Sequence, residues 1–241
     1  MTARGVFIAG TDTGIGKTRL TTGWLRALRA AGWQAVGMKP VATGAERHGV
    51  DLINEDVVQI CAESGVYGSD RVHRADINPY CFEPPISPHI AAEKAGICID
   101  MEPIMMSYGR LAALSDAVLV EGTGGWLAPI GPSTTMADIA VALKLPVVLV
   151  VGVRLGCLSH ALLSVEAIAR AGSSLLGWVA NLLDTSMPAL DGNLTTLERR
   201  VPAPRLALLA GVPDATRDAA ALAIATHALM RGHTMESAAR R

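Results

Sequence analysis

The sequence has no long hydrophobic run, no excess of either charge and no closely spaced cysteines, and each absence removes a class of function. The longest mostly apolar stretch, residues 145–153, has nine residues, under half of the roughly 20 that a membrane-crossing helix needs. The apolar stretch at the amino terminus is interrupted at Asp12, too early for a signal-peptide core, so a cytoplasmic protein without a membrane partner is expected. Lys plus Arg number 21 against 22 Asp plus Glu, with no basic stripe, which leaves out the electrostatic attraction behind nucleic-acid binding. Cys61, Cys81, Cys98 and Cys157 lie far apart, so reduced, mostly buried thiols are expected rather than a disulfide frame or a zinc site. None of the six histidines has a metal-ligand spacing such as H-E-x-x-H, and a zinc role is set aside. No linker-like stretch, internal repeat or charge shift divides the chain, so 1–241 is expected to be one domain, with 231–241 a polar tail.

What is present is a large apolar fraction in a regular order. Half of the 241 residues are hydrophobic, and a chain of this length buries roughly 70% of its unfolded surface. Short β-rich runs at 6–9, 35–38, 117–120, 147–153, 176–179 and 206–209 alternate with helical patterns at 17–30, 51–63, 88–94, 101–114, 136–143, 159–171 and 217–230. Residues 75–88 carry four prolines and read as an irregular excursion. Strands that are almost continuously apolar are buried on both faces, so the expected class is α/β, a mostly parallel sheet with helices on both faces.

The strongest local signal is Gly10-Thr11-Asp12-Thr13-Gly14-Ile15-Gly16-Lys17-Thr18, between the first strand and the first helix. Such a turn aims backbone N–H groups and the positive end of a helix dipole at a phosphate. Lys17 can neutralise terminal phosphate oxygens and the Thr18 hydroxyl is a candidate Mg²⁺ ligand. The spacing is a variant, with five residues between Gly10 and Gly16 where the usual pattern has four. Lys39 ends the second strand in Lys39-Pro40-Val41-Ala42-Thr43-Gly44, and ligands of open parallel sheets bind at the carboxyl ends of strands. Glu121 ends a buried strand before Gly122-Thr123-Gly124-Gly125-Trp126, a place from which a carboxylate can hold Mg²⁺, with Asp56 as a second candidate. The run from Val151 to His160 is another strand followed by a helix start, hence a second possible anion site. Cys157 within it has no assembled base and reads as a small buried side chain.

Taken in order, G-T-D-T-x-x-G-K-T, K-P-V-A-T-G, N-P-Y-x-F followed by S-P-H, V-E-G-x-G-G-W, V-G-V-x-L-G-C and G-W-V-A-N resemble the dethiobiotin synthetase family. The resemblance covers about residues 6–181 and implies a single-domain phosphate-loop NTPase fold, a homodimer, and an ATP-dependent ring closure. The substrates it implies are 7,8-diaminononanoate and CO₂, and the products dethiobiotin, ADP and phosphate. By resemblance, Thr13, Gly14, Ile15, Gly16, Lys17, Thr18 and Arg19 cradle the nucleotide phosphates, and Gly122, Thr123, Gly124, Asn181 and Leu182 complete the nucleotide site. Thr18, Asp56 and Glu121 would hold Mg²⁺, Lys39 would be the catalytic lysine beside Lys17, and Asn181 would read the adenine. Thr43 and the helix start Gly156, Cys157, Leu158 and Ser159 would hold the substrate, the latter its carboxylate. Some relatives carry glutamate in place of Gly14 and a carboxylate-binding tyrosine in place of Asn193, and residues 210–212 depart from the usual base loop.

Rival readings are weaker. A partner-regulated ATPase switch of the partitioning kind has a signature lysine five positions before the loop's main lysine, where this chain has Asp12. Asn181-Leu182-Leu183-Asp184 echoes a guanine reader but lacks its lysine. A non-catalytic relative would not need Lys17, Thr18, Lys39 and Glu121 together.

Overall fold

The computed structural model describes residues 3–65, 72–223 and 225–226. In chain order its elements are β1 (Arg4–Gly10), α1 (Lys17–Ala30), β2 (Ala35–Met38), β3 (Val41–Thr43), β4 (Glu46–His48), β5 (Asp51–Ile53), α2 (Glu55–Glu63), α3 (Arg74–Ile77), β6 (Tyr80–Phe82), α4 (Pro88–Ala95), α5 (Met101–Leu114), β7 (Ala117–Glu121), α6 (Met136–Ala142), β8 (Val147–Val153), α7 (Cys157–Arg170), β9 (Leu175–Leu182), α8 (Leu190–Arg200), β10 (Arg205–Leu209) and α9 (Ala215–Ala221).

The six strands expected from the sequence form one sheet in the order β10-β9-β8-β1-β7-β2, and every pairing in it is parallel. All seven residues of β8 and all five of β7 are buried, as in a sheet covered on both faces. Helix α1 shows why helices pack onto it. Leu20, Trp24 and Leu28 recur every fourth residue and have no exposed surface, so they form one apolar stripe. The helix ends at Ala30, with Gly32 at positive φ just beyond, the usual glycine stop after a helix. Because the strands are parallel, the loop after β1, Lys39, Glu121, Arg154, Leu182 and Ala210 all lie at one edge of the sheet.

Departures from the sequence reading lie outside that sheet. The helix expected over 51–63 begins at Glu55; residues 51–53 pair antiparallel with β4 instead. Asn54 sets the boundary by accepting a bond from the Val57 N–H at 3.3 Å, which favours a helix start there. The proline-rich stretch 75–88 is more ordered than expected, since it contains part of α3 and β6, which pairs with β3. Helix α7 starts at Cys157, after left-handed Gly156. Helix α8 has no counterpart in the sequence reading because only Leu194 and Leu197 of its eleven residues are buried. The helix expected over 217–230 is observed as Ala215–Ala221; its remainder overlaps residues 224 and 227–230, outside the described residues, as does the expected tail 231–241. Cys61 and Cys157 are buried, Cys81 is half-buried and Cys98 is exposed. No helix among the described residues is long and apolar enough to cross a membrane.

Candidate active site

The phosphate loop joins β1 to α1. Gly16 sits at φ 91° immediately before the helix and provides no side-chain cap, so the first-turn N–H groups of α1 remain available to an anion. Gly16 also has to be small, because a Cβ there would stand 2.2 Å from Asn181 Nδ2. At Gly14, φ is 70° and a Cβ would meet nothing within 4 Å, so the place where some relatives carry glutamate opens onto space.

Four ionisable groups converge beside this loop. Lys17 Nζ donates to the carbonyls of Asp12 at 2.9 Å and Gly124 at 2.7 Å. Burial pushes its pKa down to about 8, an effect that nearby Glu121 opposes and Lys39 reinforces. Glu121 has no exposed surface, and a buried carboxylate needs partners. It accepts from Thr18 Oγ1 at 2.8 Å, from Thr21 Oγ1 at 2.6 Å and from Lys39 Nζ at 2.7 Å. Lys39 also pairs with Asp56. Burial alone would lower the Lys39 pKa, but the two carboxylates hold it above the ordinary lysine value. Burial alone would raise Asp56; Lys39, with help from the Thr18 hydroxyl, keeps it below the ordinary carboxylate value.

These groups line a cleft of about 330 Å³ with Thr13, Gly14, Gly16, Thr18, Thr43, Thr123 and Gly124. Thr18 Oγ1, Asp56 and Glu121 are hard oxygen donors, the chemistry that Mg²⁺ takes, and Mg²⁺ fills its remaining positions with water and phosphate oxygens. The residues present therefore fit that ion. Among the described residues no group of three or more His, Cys, Asp or Glu is placed to hold a metal.

Other expected residues are engaged within the protein or lie apart from the cleft. Ile15 is buried in the core and contributes its carbonyl, which accepts from Asn181 Nδ2 at 2.8 Å. The Arg19 guanidinium is engaged by Asp218, Asn181 and the 210–211 carbonyls rather than by the cleft. The Thr123 hydroxyl donates to the Val41 carbonyl, tying the β7 loop to β3. Gly122 follows β7 directly, and Leu182 ends β9 beside Asn181. Gly156, Cys157, Leu158 and Ser159 form the start of α7 and do not line the cleft.

The sequence reading did not single out Thr21, Asn54 or the Asp12–Arg154 pair at 2.6 Å. Thr21 was findable, because it follows Lys17 by four positions and so shares its helix face. Asp12 was given no partner in that reading; its carboxylate ties the loop to the end of β8.

Residues 4–219 match a family described as an AAA domain. An ATP-dependent dethiobiotin synthetase of Aromatoleum aromaticum is 48% identical over 213 residues, covering 88% of this chain and 92% of its own. One from Cellvibrio japonicus is 44% identical over 227 residues, covering 91% and 95%. Among solved structures, the MinC:MinD cell division protein complex of Aquifex aeolicus superposes with a TM-score of 0.58 at 16% identity, covering 95% of this chain and 96% of that one. A likeness at that identity carries the fold alone. With its phosphate loop, paired lysines and buried strand-end carboxylate in one cleft, and with relatives this similar along nearly their whole length, the chain belongs to the ATP-dependent dethiobiotin synthetase family.

Proposed function

We propose that this chain uses ATP to close a cyclic urea on 7,8-diaminononanoate with CO₂, giving dethiobiotin, ADP and phosphate. The observation that carries this reading is the single cleft in which Lys17, Lys39, Asp56 and Glu121 meet at the end of a phosphate loop, in a chain 48% identical to a named dethiobiotin synthetase. One substrate amine takes up CO₂ with loss of a proton, and the carbamate oxygen attacks the terminal phosphorus of ATP as ADP leaves. The second amine then attacks the carbamoyl carbon, and phosphate leaves as the ring closes. Negative oxygen develops in both halves, and fixed positive groups beside it are usually the largest catalytic contribution.

Lys17 meets the phosphates in the ground state, and Lys39, at a different strand end, meets the carbamate and the transferring group. Mg²⁺ held by Thr18, Asp56 and Glu121 would neutralise phosphate charge. Thr43, which lines the cleft, would contact the diamine. The start of α7 would hold the distant carboxylate by the N–H groups of Leu158 and Ser159, since that of Cys157 already donates to the Arg154 carbonyl, and a homodimer in the cytoplasm is the proposed setting.

The test is ADP release from ATP and Mg²⁺, with diamine and bicarbonate added singly and together. Release is expected only with both, because the phosphate acceptor contains both. Brisk release from ATP alone, unaltered by the diamine, would instead favour the switch ATPase, a reading disfavoured by Asp12 at the place of its signature lysine.

A further inference from the structure

Arg19 stands one residue past the phosphate-loop threonine, yet it does not line the cleft. All five of its N–H donors have acceptors. Nε and Nη2 grip Asp218 at 2.7 and 2.8 Å, and Nη2 also donates to the Ala210 carbonyl at 3.2 Å. Nη1 donates to the Gly211 carbonyl at 3.0 Å and to Asn181 Oδ1 at 3.1 Å. The Arg19 and Asp218 side chains are 10% and 5% exposed. One side chain thus ties the first turn of α1 to the end of β9, the loop after β10 and helix α9.

This fork also fixes the Asn181 amide. Its oxygen faces Arg19 and its nitrogen faces the Ile15 carbonyl; the flipped amide would set donor against donor and acceptor against acceptor. The groups suited to a terminal phosphate gather at the ends of β7 and β2. A nucleotide lying along the loop therefore leaves past Gly16 toward β9 and β10, where Asn181 presses on the loop and residues 210–211 form the adjoining wall.

We propose that Arg19 is a positioning residue for the nucleobase, holding the Asn181 amide and the 210–211 backbone in their binding arrangement before ATP arrives. The proposal rests on the reading of Asn181 as the base reader. Gly211 is at φ 64° and brings no side chain of its own, so without the fork this wall would have to be ordered at the expense of binding.

Truncating Arg19 alone strands a buried Asp218, which is strongly destabilising. The test therefore uses Arg19→Lys, which keeps the charge and loses the fork, and Arg19→Gln with Asp218→Asn, which removes both charges. Steady-state kcat and KM for ATP and for GTP are measured in the complete reaction. For both variants KM for ATP is expected to rise about tenfold, the equivalent of ordering a loop's side chains on binding, with a smaller change in kcat. KM for GTP is expected to rise less, because a base wall discriminates and a phosphate site does not. A KM for ATP that does not move, or that rises equally for ATP and GTP, overturns the proposal. Asn181→Ala separates the two layers: loss of ATP preference there but not in the Arg19 variants removes Arg19 alone, and no change in any variant removes the base assignment as well.

Discussion

Glu121 is the residue on which the candidate site turns, because a carboxylate with no exposed surface must be matched by every neighbour it has. Lys39 is held charged by Glu121 and Asp56, so it keeps a fixed positive group in the cleft. Lys39→Ala is expected to lower kcat by roughly 10²–10³ while ATP binding, measured by calorimetry, stays within a few-fold. A variant nearly as active as the parent would reduce Lys39 to a structural partner of Glu121. Lys17→Ala should impair both binding and turnover.

Lys17 also makes the site sensitive to pH. Its folded value of about 8 lies below the ordinary 10.5, so the fold disfavours its charged form: stability is reduced below pH 8 and recovers as pH rises toward 10.5. Phosphate prefers the charged form, so ATP binding above pH 8 must take up a proton. The prediction is that kcat/KM for ATP, which reports the free enzyme, falls as pH rises through about 8. A flat profile to pH 9.5 would refute it. At this scale the sequence pointed to Lys17 by its place in the loop and to Lys39 and Glu121 by their places at strand ends, while Asp56, on a helix, was a second candidate that rested on the family resemblance. It missed Thr21, which its place four residues after Lys17 could have flagged, and Asp218, whose role exists only once α1 faces α9.

At the scale of elements, α2 delivers Asp56 to the site, and Asn54 fixes where α2 begins. The Asn54 side chain accepts from Val57 N–H and donates to the Thr43 carbonyl at 3.0 Å, so one residue couples a candidate metal ligand to a candidate substrate contact. Asn54→Ala is expected to cost about 1 kcal/mol, the usual loss of a cap, lowering Tm by roughly 2–4 °C. At saturating ATP it should also lower kcat/KM for the diamine, which the cap of α9, on the nucleobase side, should not do when removed by Asp214→Ala. Equal effects of the two variants on kcat/KM would remove the coupling. The strands and the helices α1 and α5 were legible because their apolar spacing continues for several turns or fills a whole strand. The hairpin β4–β5 and helix α8 were not: β4 is wholly exposed and α8 buries two side chains, too little for periodicity to register.

On the scale of the whole molecule, the nucleotide would touch elements far apart in the chain, from α1 to the loops after β7, β9 and β10. Ligand that binds only the folded state stabilises it by mass action, about 2.7 kcal/mol at a hundred times Kd. Mg²⁺-ATP at that excess is therefore expected to raise Tm by roughly 5–10 °C, and the Lys17→Ala protein should show little of this rise. An equal shift in the parent and Lys17→Ala proteins would place the nucleotide elsewhere. What the sequence determined by itself was the fold class, the six strands of the sheet and the residues at their ends, because apolar periodicity and glycine spacing are local properties of the chain. Tertiary structure alone decided that β7 lies between β1 and β2, bringing Glu121 between Thr18 and Lys39. It also turned Arg19 away from the cleft toward Asp218, 199 positions further on. Strand order and the partners of a buried charge are set by which surfaces exclude water together, and contacts at that separation leave no trace in local spacing.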